Sequence, residues 1–354
     1  MNRLHNLDYL RGMAAFGIMI YHYLTWTYGH FSAETFLGRV GVYGVSIFYV
    51  LSGLTLYLVY QDKMKINKLN ITNFFIKRIF RIFLLMWLAI FVSITLSGQK
   101  TNLYDLFLNL TGLFGFLNWD KYFSIGLWSI GNELVFYTFF IVFMILIQFQ
   151  KKLFYVLTLV IFLIFIYFSF FIFSENNHTT YTLSSMWRYY SNPLNQVFLF
   201  LGGFLIGFFF VDKQINKNWG SITLTIGFII FCLYPVSGNT VFLVTGVSRI
   251  VFTMSCFLIC FGFYKTNFNF KPTIHLPLSI LGEISYSMYL IHPLIIIFVR
   301  TLIFFLNSHF FKVPFITSVV LLTSIISTIF LSYFMYQYFE KYFIKLGNSK
   351  FSLK

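Results

Sequence analysis

Long, uninterrupted apolar runs constrain this chain more than any other feature. Phe154–Phe173 contains no Asp, Glu, Lys or Arg, and Leu290–Leu306 carries one such charge, Arg300. A helix that crosses a bilayer needs about 20 such residues. Strands of a membrane barrel would instead alternate apolar and polar residues, and these runs do not alternate. A water-soluble reading fails on charge: only 10% of the residues are charged and 58% are hydrophobic, too little polar surface to cover a core of this size. The expected fold is therefore all-α, a polytopic integral membrane protein.

Ten spans can be drawn, at 9–28, 40–60, 79–98, 127–149, 153–173, 193–211, 219–235, 242–264, 278–305 and 313–338. The seventh is short and punctuated by glycine, and the ninth is unusually long. Connecting loops are short, the largest being 61–78, 99–126 and 174–192, so no second soluble domain fits between spans. The expected organisation is a transmembrane domain over 1–340, then a short basic tail over 341–354, with no extracytoplasmic esterase-like domain. Arg3 followed by an apolar stretch superficially resembles a signal peptide. However, Arg11 and His22 interrupt the stretch and no small-residue cleavage site follows, so it reads as a retained first span.

The net charge of +15 would suggest nucleic acid in a soluble protein. Here its distribution gives another explanation. With the N-terminus in the cytoplasm, 18 Lys and Arg fall on the cytoplasmic side and five on the outer side, with Arg249 and Arg300 inside spans. Excess positive charge marks the cytoplasmic loops, so both termini are expected inside and nucleic acid is not an expected partner. The three cysteines, Cys232, Cys256 and Cys260, lie in apolar runs without metal-ligand spacing and read as packing residues. No metal site is expected.

Ionisable groups inside spans are costly and mark functional positions by default. Arg11 and His22 lie eleven residues apart, three helical turns or about 16 Å along one face. Glu133, six residues into the fourth span behind Trp128 and Ser129 and followed by Tyr137, is expected at the depth of His22, about 9 Å below the outer surface. A carboxylate there could orient the imidazole as a general base. A structural ion pair of Glu133 with Arg249 or Arg300 is the alternative, as is a packing role for His22. Lys77, Arg78 and Arg81 cluster at the cytoplasmic start of span three, suited either to phosphate or simply to the topology rule and anionic lipid. In span nine Ser285, Tyr289 and His292 share one helical face, ahead of Pro293. Such hydroxyls also serve as interhelical hydrogen bonds.

Together these stretches resemble the acyltransferase-3 family of membrane O-acyltransferases. Asp8-Tyr9-Leu10-Arg11-Gly12 through Tyr21-His22 is similar to the family's Arg-x10-His motif. Val45-Ser46-Ile47-Phe48-Tyr49-Val50-Leu51-Ser52-Gly53 is similar to its second-span signature, and Lys77-Arg78-x-x-Arg81 to its R-R-x-x-R. Trp128-Ser129 through Glu133 and Phe136-Tyr137 resemble its W-S-x-x-x-E-x-x-F-Y stretch, and Ser285 through Pro293 its S-Y-S-x-Y-L-x-H-P. Two departures stand out: Lys77 replaces an arginine and loses the planar fork, and Glu340-Lys341-Tyr342 stands where relatives often read E-R-P.

The resemblance implies acetyl-CoA or another acyl-CoA as cytoplasmic donor, and no permanently bound cofactor. It implies a hydroxyl of a cell-surface or lipid-linked glycan as acceptor (O-antigen, capsule or exopolysaccharide), and a bacterial cytoplasmic membrane as location. Arg11, Lys77, Arg78 and Arg81 would hold the donor phosphates. His22 and Glu133 would carry the chemistry, by direct transfer or through an acyl-enzyme, with Asp8, Trp128, Ser129, Tyr137, Ser285, Tyr289 and His292 in support. Trp119, Tyr122, Tyr181, Trp187, Arg188 and Tyr189 populate the outer loops and suit either sugar stacking or the ordinary interfacial belt. A transporter with an intramembrane His/Glu/Arg relay is the main competing class, although no inverted repeat is visible. A purely structural subunit is the third.

Overall fold

The computed structural model describes residues 4–98, 100–174, 181–266, 268–309 and 315–350, and no strand occurs among them. Its helices are α1 (His5–Tyr28), α2 (Phe36–Tyr60), α3 (Lys68–Ser97), α4 (Leu103–Thr111), α5 (Phe114–Leu117), α6 (Leu127–Phe149), α7 (Lys151–Tyr167) and α8 (Trp187–Tyr190), then α9 (Pro193–Phe210), α10 (Lys217–Leu233), α11 (Gly246–Lys265), α12 (Pro272–Glu283), α13 (Ser285–His309), α14 (Ile316–Met335) and α15 (Lys341–Lys350). Their ends follow local chemistry. The Asn67 side chain accepts from the Asn70 amide at 2.8 Å to start α3, and left-handed Gly98 ends it.

Eight helical stretches are long and apolar enough to cross a membrane, so the chain is a multi-pass membrane protein. The two other expected spans fall on α1 and α10. Helix α1 has 24 residues and the polar load of Asp8, Arg11 and His22. Helix α10 has 17 residues, about 25 Å of rise against a hydrocarbon core of about 30 Å. The ninth expected span is two helices, α12 and α13, meeting at Ile284. The first two residues of the tenth, 313 and 314, and the last four of the basic tail lie outside the described residues; the rest of the tail is α15.

One packing relation organises the site. His5 meets His275 with ring centroids 5.3 Å apart, Gly12 meets Gly282, and His22 bonds to His292, each pair 270 residues apart. A constant offset means that α1 runs parallel to α12 and α13 in step with them, at equal rise per residue. Gly12 and Gly282 make that step possible. A methyl on Gly12 would collide with the Gly282 amide nitrogen, and one on Gly282 with the Asp8 carbonyl, so the two backbones touch beside Arg11. Small residues permit such close approach in membrane helices, where lipid supplies no hydrophobic drive.

Aromatic packing joins the rest. Phe136, Phe140 and Phe143 of α6, Phe154 of α7 and Phe200 and Phe204 of α9 are fully buried together, with centroids such as Phe136–Phe200 at 5.2 Å. Buried Arg39 donates to the carbonyls of Ala33, Phe231 and Tyr234 at 2.8–3.0 Å. It thereby ties the start of α2 to the carbonyl end of α10, where a cation is favoured.

Candidate active site

A cavity of about 480 Å³ opens among α1, α2, α3, α6, the α12–α13 joint and the turn that follows α14, within the range of small-molecule sites. Arg11 and Asp8 reach it from α1, Ser52 from α2, Arg78 and Arg81 from α3, and Ser129, Glu133 and Tyr137 from one face of α6. Ser285, Tyr286 and Tyr289 line it from α13, and Glu340 from the last turn. Nine of the residues expected from the sequence are thus brought together: Asp8, Arg11, Arg78, Arg81, Ser129, Glu133, Tyr137, Ser285 and Tyr289.

The cavity has a cationic end. Arg11 pairs with Asp8 at 3.0 Å. Arg78 is enclosed by the rings of Phe74, Tyr137 and Tyr60, with its guanidinium carbon 5.3, 5.5 and 5.6 Å from their centroids. It donates to the Tyr60 hydroxyl at 3.1 Å, and its buried Nε has no protein partner. Arg81 lines the same space and is exposed. Lys77 does not line the cavity. It precedes Arg78 by one residue, and a rotation of about 100° per residue turns its side chain elsewhere.

Glu133 accepts from the Tyr137 hydroxyl at 2.6 Å and from Ser52 Oγ at 3.2 Å, and acts electrostatically on Arg11 and Arg78. It does not bond to His22, which corrects the sequence expectation. Matching depths fixed neither the origin nor the azimuth. Ser129 at the head of α6 meets Tyr289 at 2.7 Å, three residues before His292. Glu133 lies one further turn, about 6 Å, toward Arg78. Nor does Glu133 form the alternative ion pair. Arg249 donates to the Asn195 carbonyl at 2.8 Å and Arg300 to that of Trp26 at 3.0 Å.

His22 pairs instead with His292. His22 Nδ1 stands 2.8 Å from His292 Nε2, and His292 Nδ1 3.1 Å from the Met288 carbonyl. His292 is fully buried, and its ring lies 6.0 Å from that of Tyr289. The two histidines are outside the cavity lining, and Tyr289, which lines it, packs against His292. Trp128 is also outside the lining. It packs at 5.1 Å on Trp187 and 5.6 Å on Tyr190, steadying the entry to α6. Ser285 donates to the Gly282 carbonyl at 2.9 Å at the α12–α13 joint.

The structure adds Glu340, Ser52 and Tyr286. Glu340 is buried in a π-helical turn, Tyr336–Glu340, and accepts from Ser287 Oγ. Such turns recur at functional sites. Its signal was present in the sequence, as an acidic residue closing an apolar run. Tyr286 donates to the Ile82 carbonyl at 2.8 Å, joining α13 to α3. Among the loop aromatics between α4 and α9, Trp119 donates to the Arg188 carbonyl at 2.8 Å, burial pushes the Tyr122 phenol up to about 12, and Tyr181 and Tyr189 are exposed.

No curated protein and no solved structure matches the chain. The family model described as an acyltransferase domain matches residues 4–337, nearly the whole length, and the chain therefore belongs to the acyltransferase-3 family of membrane acyltransferases.

Proposed function

We propose that this acyltransferase moves an acetyl group from cytoplasmic acetyl-CoA to a hydroxyl of a cell-surface or lipid-linked glycan. One observation carries the reading: a single cavity of about 480 Å³ runs from Arg11, Arg78 and Arg81 to Tyr289, whose ring abuts the His292 of the histidine pair. A nucleotide's phosphates suit the arginine end, since guanidinium groups pair bidentately with phosphate oxygens. The pantetheine arm would extend between α1, α2 and α6 and present the thioester at Ser129 and Tyr289. Glu133, held by Tyr137 and Ser52, offsets the guanidinium charges rather than orienting the base.

In the transfer step His22 takes the proton of the acceptor hydroxyl. The hydroxyl oxygen bonds to the acyl carbon, the carbon–sulfur bond breaks, and His22 returns the proton to the departing thiolate. Ester and free thiol are the products, and the imidazole is regenerated. The charge asymmetry of the loops supports both termini facing the cytoplasm, in a bacterial cytoplasmic membrane. The transmembrane unit then occupies 1–340 and the basic tail 341–354.

The test uses membranes carrying the wild type or His22→Ala, supplied with radiolabelled acetyl-CoA and a cell-envelope glycan fraction. Alkali-labile label on glycan with the wild type, lost in the variant, is the expected result. Equal labelling by the variant overturns the role of His22, and no labelling by either overturns the donor and acceptor assignment.

A further inference from the structure

We propose that His292 is a positioning residue that fixes the tautomer of His22, leaving His22 Nε2 as the unprotonated, reactive nitrogen. The proposal rests on His22 being the base of the acyl transfer, yet its first readout is independent of that reaction.

The argument is a chain of donors and acceptors. A backbone carbonyl only accepts, so the contact of His292 Nδ1 with the Met288 oxygen at 3.1 Å requires a proton on that nitrogen. A neutral His292 then has a lone pair on Nε2. That nitrogen stands 2.8 Å from His22 Nδ1, so His22 Nδ1 must be the donor and carry the proton. The lone pair of neutral His22 is left on Nε2. Free imidazole side chains in water favour the opposite arrangement, with the proton on Nε2, so the protein selects the less common form.

Geometry supports a directed bond. The two ring planes differ by 11° with centroids 5.1 Å apart. At a nitrogen–nitrogen distance of 2.8 Å this is edge-to-edge contact in nearly one plane, with the N–H aimed along the lone pair. Trp26 lies nearly parallel to both rings, at 13° to His22 and 14° to His292. The backbone under His292 is pinned as well. Tyr23 donates to the His292 carbonyl at 2.8 Å, and its hydroxyl meets Thr328 at 2.5 Å. The pair is built between α1 and α13 at the same step that joins Gly12 to Gly282.

This assigns to a neutral histidine the task that a carboxylate performs in the Ser-His-Asp arrangement. When His22 accepts the hydroxyl proton at Nε2, its Nδ1 proton remains bonded to His292, and neither ring has to turn. Because the acceptor is neutral, no second charge is introduced into the membrane interior.

The experiment is nitrogen-15 NMR of full-length protein labelled at histidine, in lipid nanodiscs without substrate, with the His22 resonances identified among the seven histidines by their loss in His22→Gln. Expected is an unprotonated Nε2 and a protonated Nδ1 for His22 in the wild type, and loss of that preference in His292→Phe. In transfer assays His292→Phe should lower kcat by about 10²-fold or more, within the reach of general-base catalysis, with an unchanged KM for acetyl-CoA. His292→Gln, whose amide oxygen still accepts from Nδ1, should restore most of the rate. A protonated Nε2 on wild-type His22 overturns the proposal even if the His292 variants fail to fold. So does His292→Phe at the wild-type rate. If the tautomer is as stated and changes in His292→Phe while no form transfers acetyl, the tautomer assignment stands and the donor or acceptor assignment falls.

Discussion

A methyl group added at Gly12 tests whether the register between α1 and α12–α13 is what assembles the site. In an exposed helix, glycine to alanine stabilises by about 1 kcal/mol. At Gly12 the new Cβ would lie 2.5 Å from the Gly282 nitrogen and 2.6 Å from the Leu281 carbonyl carbon, where ordinary contact begins at 3.4 Å. The neighbours are backbone atoms and no rotamer change can relieve them, so the helices must part by about 0.9 Å. Overpacking of this kind costs about 1–3 kcal/mol, and the absence of relief places Gly12 at the upper end, a net loss of about 2 kcal/mol after the propensity gain. The catalytic cost is larger. Helix α1 carries Arg11 into the cavity and His22 to His292, and a misplacement near 1 Å costs about 10²-fold in rate. Gly17 is the internal control, because its Cβ would meet only a methyl of Val40, at 3.2 Å. Acetyl transfer and heat inactivation in nanodiscs should therefore separate the two: Gly12→Ala loses about 10²-fold in rate and inactivates at lower temperature, while Gly17→Ala keeps its rate and equals or exceeds wild-type resistance. Indistinguishable behaviour of the two variants would refute the register argument.

Arg78→Lys keeps its charge but loses the planar contact with three rings, so the KM for acetyl-CoA should rise about tenfold, about 1.4 kcal/mol. Arg81→Lys, at an exposed position, should change it by about threefold or less, and equal effects would remove Arg78 from the donor site. Topology is read by cysteine labelling after replacement of Cys232, Cys256 and Cys260. An impermeant maleimide should label Lys121→Cys on intact cells and Lys63→Cys only after permeabilisation, and the reverse pattern would invert the orientation. In the loop joining α1 and α2, hydrogen bonds from Ser32 and from the Gly238 amide, the latter at 2.9 Å, hold the Glu34 carboxyl below its ordinary value. Its stabilising contribution is therefore present above the usual carboxylate range and is lost as pH falls through the lowered value. Amide exchange at Gly238, corrected for intrinsic rate, should speed up on acidification, and Glu34→Gln should abolish that change.

What the sequence made legible was whatever depends on one helix at a time. Continuous apolar runs located the long helices, and the Arg11–His22 spacing placed both residues on α1. The basic cluster at 77–81 pointed to the arginine end of the cavity, though helical rotation retains Arg78 and Arg81 there and turns Lys77 away. Relations between helices were less legible. The depth of Glu133 was counted along one helix, which does not show that α6 meets Tyr289 through Ser129 and leaves Glu133 one turn further on, beside Ser52. The partner of His22 was in plain view as His292, but only the parallel register of α1 with α13 joins residues 270 apart. Glu340 was visible as a charge and mute as a site residue, since a π-helical turn decides which way it faces.

The intramembrane arginines show how such charges can be sorted once partners are known. Arg39 gives three bonds to carbonyls and closes a helix end, which accounts for its charge without a ligand. Arg249 meets the Asn195 carbonyl and lies 4.8 Å from the centre of the Phe165 ring. The cavity beside it is only about 10 Å³, on the scale of one water molecule. The Arg249 Nη1 and the Arg78 Nε both lack a protein acceptor, but Arg78 borders a space of about 480 Å³ shared with Arg11 and Arg81. Burying a guanidinium without a full set of acceptors is unfavourable for the protein alone. It becomes favourable when an anionic ligand completes the set. These three arginines thus divide by the space beside them, and only the one that borders a ligand-sized cavity is arranged for something that comes and goes.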